Sequence, residues 1–184
     1  MAAPADPTLH ALTAAAVQAT AAAAGWLLGR PGPSGLVVLA VAGPPDTGIG
    51  TAVSTEQGVV SFVIGSGQPM SITPSSADRG LDADIAALAG VAPRSLLCVP
   101  CANDDDIAGV LVLVDKVGGG PFTIDDVELA TLLAGVAGVA LGDRDGVWSA
   151  PEPAALAAEL EQLARSRPDR YRTVAALVEA LLGA

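Results

Sequence analysis

The chain has 184 residues, enough for one domain with a short extension, and at that length folding requires neither disulfides nor a metal. Aromatics make up only 3% of a sequence that is 51% hydrophobic, so the core must be assembled from Ala, Val, Leu and Ile. A net charge of −11, with nine scattered basic residues, repels nucleic acid and anionic lipid and leaves no stripe able to neutralise a phosphate backbone. The opening Met1-Ala2-Ala3-Pro4 has no basic n-region. The Ala-rich run 11–24 is interrupted by Thr13, Gln18 and Thr20 and is shorter than the ~20 apolar residues a bilayer requires. The expectation is a soluble, cytoplasmic protein with no membrane and no nucleic-acid partner.

Residues 1–7 read as a flexible tail. Pro7-Thr8 opens a helix expected to run to about residue 24, with Leu9, Leu12, Ala16 and Ala19 on one stripe and Gly25 as its stop. Residues 29–35, rich in Gly and Pro, form a loop. The apolar, β-branched run 36–42 predicts a strand buried on both faces, with 48–53 as its hairpin partner across Gly43-Pro44-Pro45-Asp46. Ser54 or Thr55 caps a helix over 56–66, which Gly65-Ser66-Gly67 ends, and 69–73 is a short strand entered through a proline.

After the polar loop 74–78, Asp78 caps a helix over 79–89 that Gly90 closes. Strands over 94–101 and 107–116 flank the tip Ala102-Asn103-Asp104-Asp105-Asp106. Gly118-Gly119-Gly120-Pro121 turns the chain into a long helix over 124–141, capped by Thr123 with Asp125 and Asp126 in its first turn. Residues 143–153 read as a linker. Beyond it, 154–166 and 169–182 are amphipathic pieces separated by Pro168, with Leu156, Leu160 and Leu163 on one face of the first and Val174, Leu177, Val178 and Leu181 on one face of the second. Each is too short to be stable alone in water. Two hairpins without strand–helix–strand alternation imply an α+β domain with an antiparallel sheet.

Four stretches, in this order and at this spacing, resemble the GAF domain family. They are Gly58-Val59-Val60 through Gly65-Ser66-Gly67-Gln68-Pro69-Met70-Ser71-Ile72, then Ser95-Leu96-Leu97-Cys98-Val99-Pro100, then Ile107-Ala108-Gly109-Val110-Leu111-Val112-Leu113-Val114, and finally Phe122-Thr123-Ile124-Asp125-Asp126 before an apolar helix. The resemblance covers about residues 8–142 and leaves the C-terminal helical extension, 154–184, outside it. It implies an antiparallel sheet of five to six strands with helices on both faces. One face would carry terminal helices that often dimerise, and the other a pocket lidded by the middle helices. Members bind cyclic nucleotides, tetrapyrroles, haem or small metabolites, and many bind nothing known; fold alone therefore does not fix function.

Of the family's cyclic-nucleotide signature, the matching positions read Asp115, Lys116, Phe122, Asp126 and Val127, so three of five are kept and a Lys116–Asp126 pair can tie a strand end to a helix start. Cys98 and Cys101 invite a redox or metal reading, but strand residues three apart point to opposite faces and lie ~10 Å apart. Haem or bilin would need a placed His or Cys, and His10 is the only histidine. Asp104-Asp105-Asp106 lacks the alternating oxygen ligands of a calcium loop. Gly118-Gly119-Gly120 lacks the Gly-Lys-Ser/Thr of a phosphate loop. A Ser/His/Asp constellation fails on inventory. No catalytic residue, metal or haem is expected, and the cofactor is unknown.

The resemblance places a candidate pocket wall at Phe62, Ile72, Leu81, Ile85, Leu88, Ser95 and Leu97, with Ser75, Ser76, Asp78 and Arg79 at its mouth. The same set also suits a packed core under a solvated loop. Small residues at Ala15, Ala16, Ala19, Ala23, Gly135 and Gly138 permit close helix approach and suit a symmetric dimer. Two readings follow: a non-enzymatic sensor that binds a small molecule and signals through dimeric terminal helices, or a ligand-free dimerisation or protein-interaction module in which the C-terminal helices engage a protein partner.

Overall fold

A computed structural model describes residues 6–29, 35–44, 48–74, 83–103, 106–145 and 164–165. The N-terminal tail, the loop over 30–34, Asp104 and Asp105, the segment 75–82 and most of the C-terminal extension lie outside the described residues. The chain divides into two compact units, 1–145 and 146–184. Within the second, Ala164 and Arg165 are described, in helical conformation.

The first unit runs α1 (Pro7–Ala19), β1 (Ala22–Gly29), β2 (Leu36–Ala42), β3 (Ala52–Val53), α2 (Gly58–Ser66), β4 (Met70–Ile72), α3 (Ala83–Ala89), β5 (Leu96–Asn103), β6 (Asp106–Lys116) and α4 (Ile124–Asp145). The six strands form one sheet in the order β3-β2-β1-β6-β5-β4, and neighbouring strands are antiparallel.

The sequence expectation fails at β1. The Ala-rich run stops being helical at Ala19, and Ala22–Gly29 enters the centre of the sheet between β2 and β6. Alanine and leucine favour a helix locally, but a strand buried on both faces reads as a continuous apolar run that periodicity cannot separate from a helix. Tertiary pairing decides it: Trp26 sits opposite Val41 on one side and Val112 on the other. The helix expected over 56–66 begins at Gly58 with Gln57 as N-cap and no side-chain cap bond. Ser54 Oγ instead accepts the Glu56 N–H at 3.3 Å.

At α1 the Asp6 carboxylate accepts the N–H groups of Thr8 at 2.7 Å and Leu9 at 3.2 Å, closing orphan donors of the first turn. Its inward row is Leu9, Thr13, Ala16 and Thr20, whereas Ala19, expected on that stripe, faces out. Thr13 and Thr20 are buried because their hydroxyls donate to the carbonyls of Leu9 and Ala16 at 2.7 and 2.8 Å. Thr123 and Asp126 open α4 as a reciprocal capping pair: Thr123 N–H donates to Asp126 Oδ2 at 2.6 Å, and Asp126 N–H to Thr123 Oγ1 at 3.3 Å. The helix continues to Asp145, three residues into the expected linker.

The sheet separates two apolar clusters. On one face α1 and α4 cover Leu27, Ala40, Leu97, Val99, Cys101, Leu111 and Leu113. On the other α2 and α3 cover Trp26, Leu28, Val38, Leu96, Cys98, Val110 and Val112.

Candidate functional site

The α2/α3 face has a floor that can be followed residue by residue across the sheet. Val41 pairs with Trp26, Trp26 with Val112, Val112 with Cys98, and Cys98 with Met70. Val59, Val60 and Val63 of α2 and Ile85 and Leu88 of α3 close over this row. The period of two puts alternate residues of each strand on this face, so Leu96 and Cys98 of β5 belong to it while Leu97 does not. Among the described residues the cluster is apolar except for the indole N–H of Trp26, which is fully buried and has no hydrogen-bond partner there. Gly48, at φ +105°, passes close by: a Cβ there would stand 4.0 Å from Trp26 Nε1 and 2.9 Å from Leu88 Cδ2. One exposed hydrogen bond links the end of β3 to α3, from Ser54 N–H to Asp84 Oδ2 at 2.8 Å.

The candidate wall residues divide under this geometry. Ile85 and Leu88 lie in the cluster, and Ile72 packs against it from β4. Leu97 lies on the opposite face, among residues covered by α1 and α4, because it is out of phase with Leu96 and Cys98. Phe62 points away from the cluster and is 50% exposed, since the inward row of α2 is Val59, Val60 and Val63. Ser95 is buried but engaged: its Oγ accepts the Lys116 N–H at 3.0 Å and its carbonyl accepts the Asp115 N–H at 2.9 Å. It therefore joins the ends of two strands. Ser75, Ser76, Asp78, Arg79 and Leu81 fall outside the described residues. Trp26 was missed because the expected helix stop at Gly25 left it unassigned. The available signal was a bulky aromatic in a chain with so few of them, inside a fully apolar run bounded by glycines.

The Lys116–Asp126 pair forms between the end of β6 and the first turn of α4. Besides Lys116 Nζ, the Asp126 carboxylate accepts the Thr123 N–H at 2.6 Å and its hydroxyl at 2.9 Å. Burial pushes the carboxyl pKa up, but these donors outweigh it and hold the value below the ordinary 3.8. Phe122 packs into the α1/α4 cluster, and Asp115, at φ +52°, accepts the N–H groups of Arg94 and Ser95. The residues matching the cyclic-nucleotide signature thus fasten strand ends and the start of α4.

Cys98 and Cys101 are buried in different clusters, on opposite faces, and no disulfide joins them. Burial pushes the Cys101 thiol up to about 12, with a hydrogen bond to the Leu111 backbone only partly offsetting it, so the thiolate that nucleophilic or metal chemistry needs is scarce. Among the described residues no group of His, Cys, Asp and Glu is disposed to hold a metal ion, and no helix is long and apolar enough to cross a membrane.

A six-stranded antiparallel sheet with terminal helices on one face and short helices on the other defines the α+β class to which this geometry corresponds. The chain belongs to the GAF domain family, whose family model matches residues 4–141. It is similar to the second GAF domain of DevS from Mycobacterium smegmatis, with a TM-score of 0.60 and 23% identity over 77% of this chain and 96% of that one. It is also similar to the GAF domain of an Acinetobacter phosphoenolpyruvate-protein phosphotransferase, with a TM-score of 0.63 and 15% identity over 76% and 83% of the two chains. A stretch of 89 residues is 30% identical to the dual 3′,5′-cyclic-AMP and -GMP phosphodiesterase 11A of Takifugu rubripes, covering 47% of this chain and 10% of that protein. GAF domains are a sensor and regulatory family found in signalling proteins, and the domain itself is generally not catalytic.

Proposed function

We propose that this GAF domain is a cytoplasmic sensor that holds a small molecule between the sheet and the α2/α3 lid and signals through a homodimer of its terminal helices. The observation that carries the signalling half is the outer side of α4. Leu129, Leu132, Val136 and Val139 are exposed at 42%, 71%, 55% and 55%. They recur at spacings of three, four and three, the a/d period of a two-stranded coiled coil. The inner side of the same helix, Ala130, Ala134, Ala137 and Leu141, is buried against the sheet. One helix therefore touches the core and presents a self-complementary row, so a change in the core has a short path to the dimer contact.

The expected role of Gly138 in helix–helix approach moves inside the domain. A Cβ there would lie 1.9 Å from the Ala102 carbonyl oxygen, so its smallness serves the packing of α4 on β5. Gly135 remains on the exposed side.

Native mass spectrometry of the full chain, beside a denatured spectrum of the same sample, tests the reading. It should show a dimer, together with extra mass that denaturation removes. The double variant Leu132→Glu/Val136→Glu should be monomeric with an unchanged circular dichroism spectrum, since both residues are exposed in the single chain. A ligand-free monomer from the unaltered chain at every concentration would overturn both halves.

A further inference from the structure

Resting on the small-molecule reading above, we infer that Trp26 is the polar anchor of the site, and that the ligand class is a compact, uncharged, largely apolar molecule with one hydrogen-bond acceptor. Three observations on the lid face lead there. The Trp26 indole N–H is fully buried and, among the described residues, has no hydrogen-bond partner. A buried donor without an acceptor is costly, and native structures avoid it unless something else meets the group. Trp26 also stands at the middle of the sheet, on one of its two central strands and between Val41 and Val112. Finally, backbone and not side chain comes up beside this nitrogen: Gly48 passes in a left-handed conformation, and a Cβ there would touch the indole nitrogen at an ordinary 4.0 Å while clashing with Leu88 at 2.9 Å.

The surroundings define the ligand. Among the described residues the cluster around Trp26 is Val, Leu, Ile and Ala with Cys98, and it holds no charged side chain. Lys116, the last residue of β6, is already committed to Asp126. An anion would meet one neutral donor and a protein of net charge −11, which is poor compensation for its lost hydration. A neutral carbonyl, ether or amide oxygen needs only the one N–H, and the rest of such a molecule gains from the apolar walls. The indole serves a second purpose, because its ring is the largest fully buried side chain of the floor and gives the ligand a flat surface.

A pair of probes of the same shape separates the donor from the cavity. Cyclohexanone carries an acceptor; methylenecyclohexane has the same outline without one. In nitrogen-15 spectra of the full chain, cyclohexanone should move the Trp26 indole signal saturably downfield, the signal being assigned by its loss in Trp26→Phe. Methylenecyclohexane should bind about tenfold more weakly and leave that signal nearly in place, the factor expected for one buried hydrogen bond. In Trp26→Phe the two probes should bind alike. The comparison of the two probes on the unaltered chain stands even where that variant fails to fold. Equal affinity for both probes, with the indole signal unmoved, would overturn the anchor and leave a purely apolar pocket standing. Saturable binding by neither probe would overturn the ligand class, while the co-purified mass in the native spectrum judges the pocket separately.

Discussion

The two faces of this sheet are made from the same few apolar residue types, yet they are closed in different ways. On the α1/α4 face a helix of 22 residues lies against the strands with almost no clearance: Gly138 meets the Ala102 backbone, and Gly142 meets the Asn103 side chain. Its start is clamped to the sheet by Lys116, Asp126 and Thr123. On the other face the covers are helices of nine and seven residues, α2 starts without a side-chain cap, and one exposed hydrogen bond connects α3 to the end of β3. Short helices owe their stability to what they pack on. The comparison separates a face that fixes the domain from a face that can yield, and the buried, unpartnered donor lies on the yielding one.

Substitutions should expose that asymmetry. The largest effect is expected from adding a single methyl on the tight face. Gly138→Ala drives a Cβ to within 1.9 Å of a backbone oxygen, and chemical denaturation should show a loss of about 3 kcal/mol. Asp126→Asn should cost about 1.5 kcal/mol by the same measurement, because it weakens a buried, charge-assisted tie. Its cost should depend on pH. The folded carboxyl titrates below its unfolded value near 3.8, so its stabilisation is complete above that value and is lost as pH falls through the lower folded one. The gap between the original chain and the variant should therefore close in that acid window. The smallest effect is expected from the largest side chain of α2. Phe62→Ser removes a ring that is half exposed, and its unfolding free energy from the same denaturation should change by no more than about 0.5 kcal/mol.

Most of the architecture was legible in the sequence because its punctuation is local. Gly67 ends α2 in a left-handed conformation, Asn103 pairs with Asp106 at the ends of β5 and β6, and Thr123 starts α4. The central strand β1 was not legible, since its helical propensity is overruled only by partners distant in the chain, Val41 and Val112. That one error carried into the site. Without β1 there was no reason to set Trp26 on the floor, and the register of β5, which sends Leu97 to the opposite face from Leu96 and Cys98, depends on where β4 and β6 pair with it. Phe62 belongs to a lid helix, as the expected pocket wall requires, but the inward row of α2 consists of Val59, Val60 and Val63. Contacts fixed by short-range capping were readable, and contacts fixed by register were not.

Hydrogen–deuterium exchange on the full chain, with and without cyclohexanone, tests the division of labour between the two faces most directly. Amides of α2 and α3 should exchange well before those of α4 and β6, and the probe should slow exchange in α3 and around Trp26. Equal protection of both helix layers, or a response to the probe confined to α1 and α4, would contradict it.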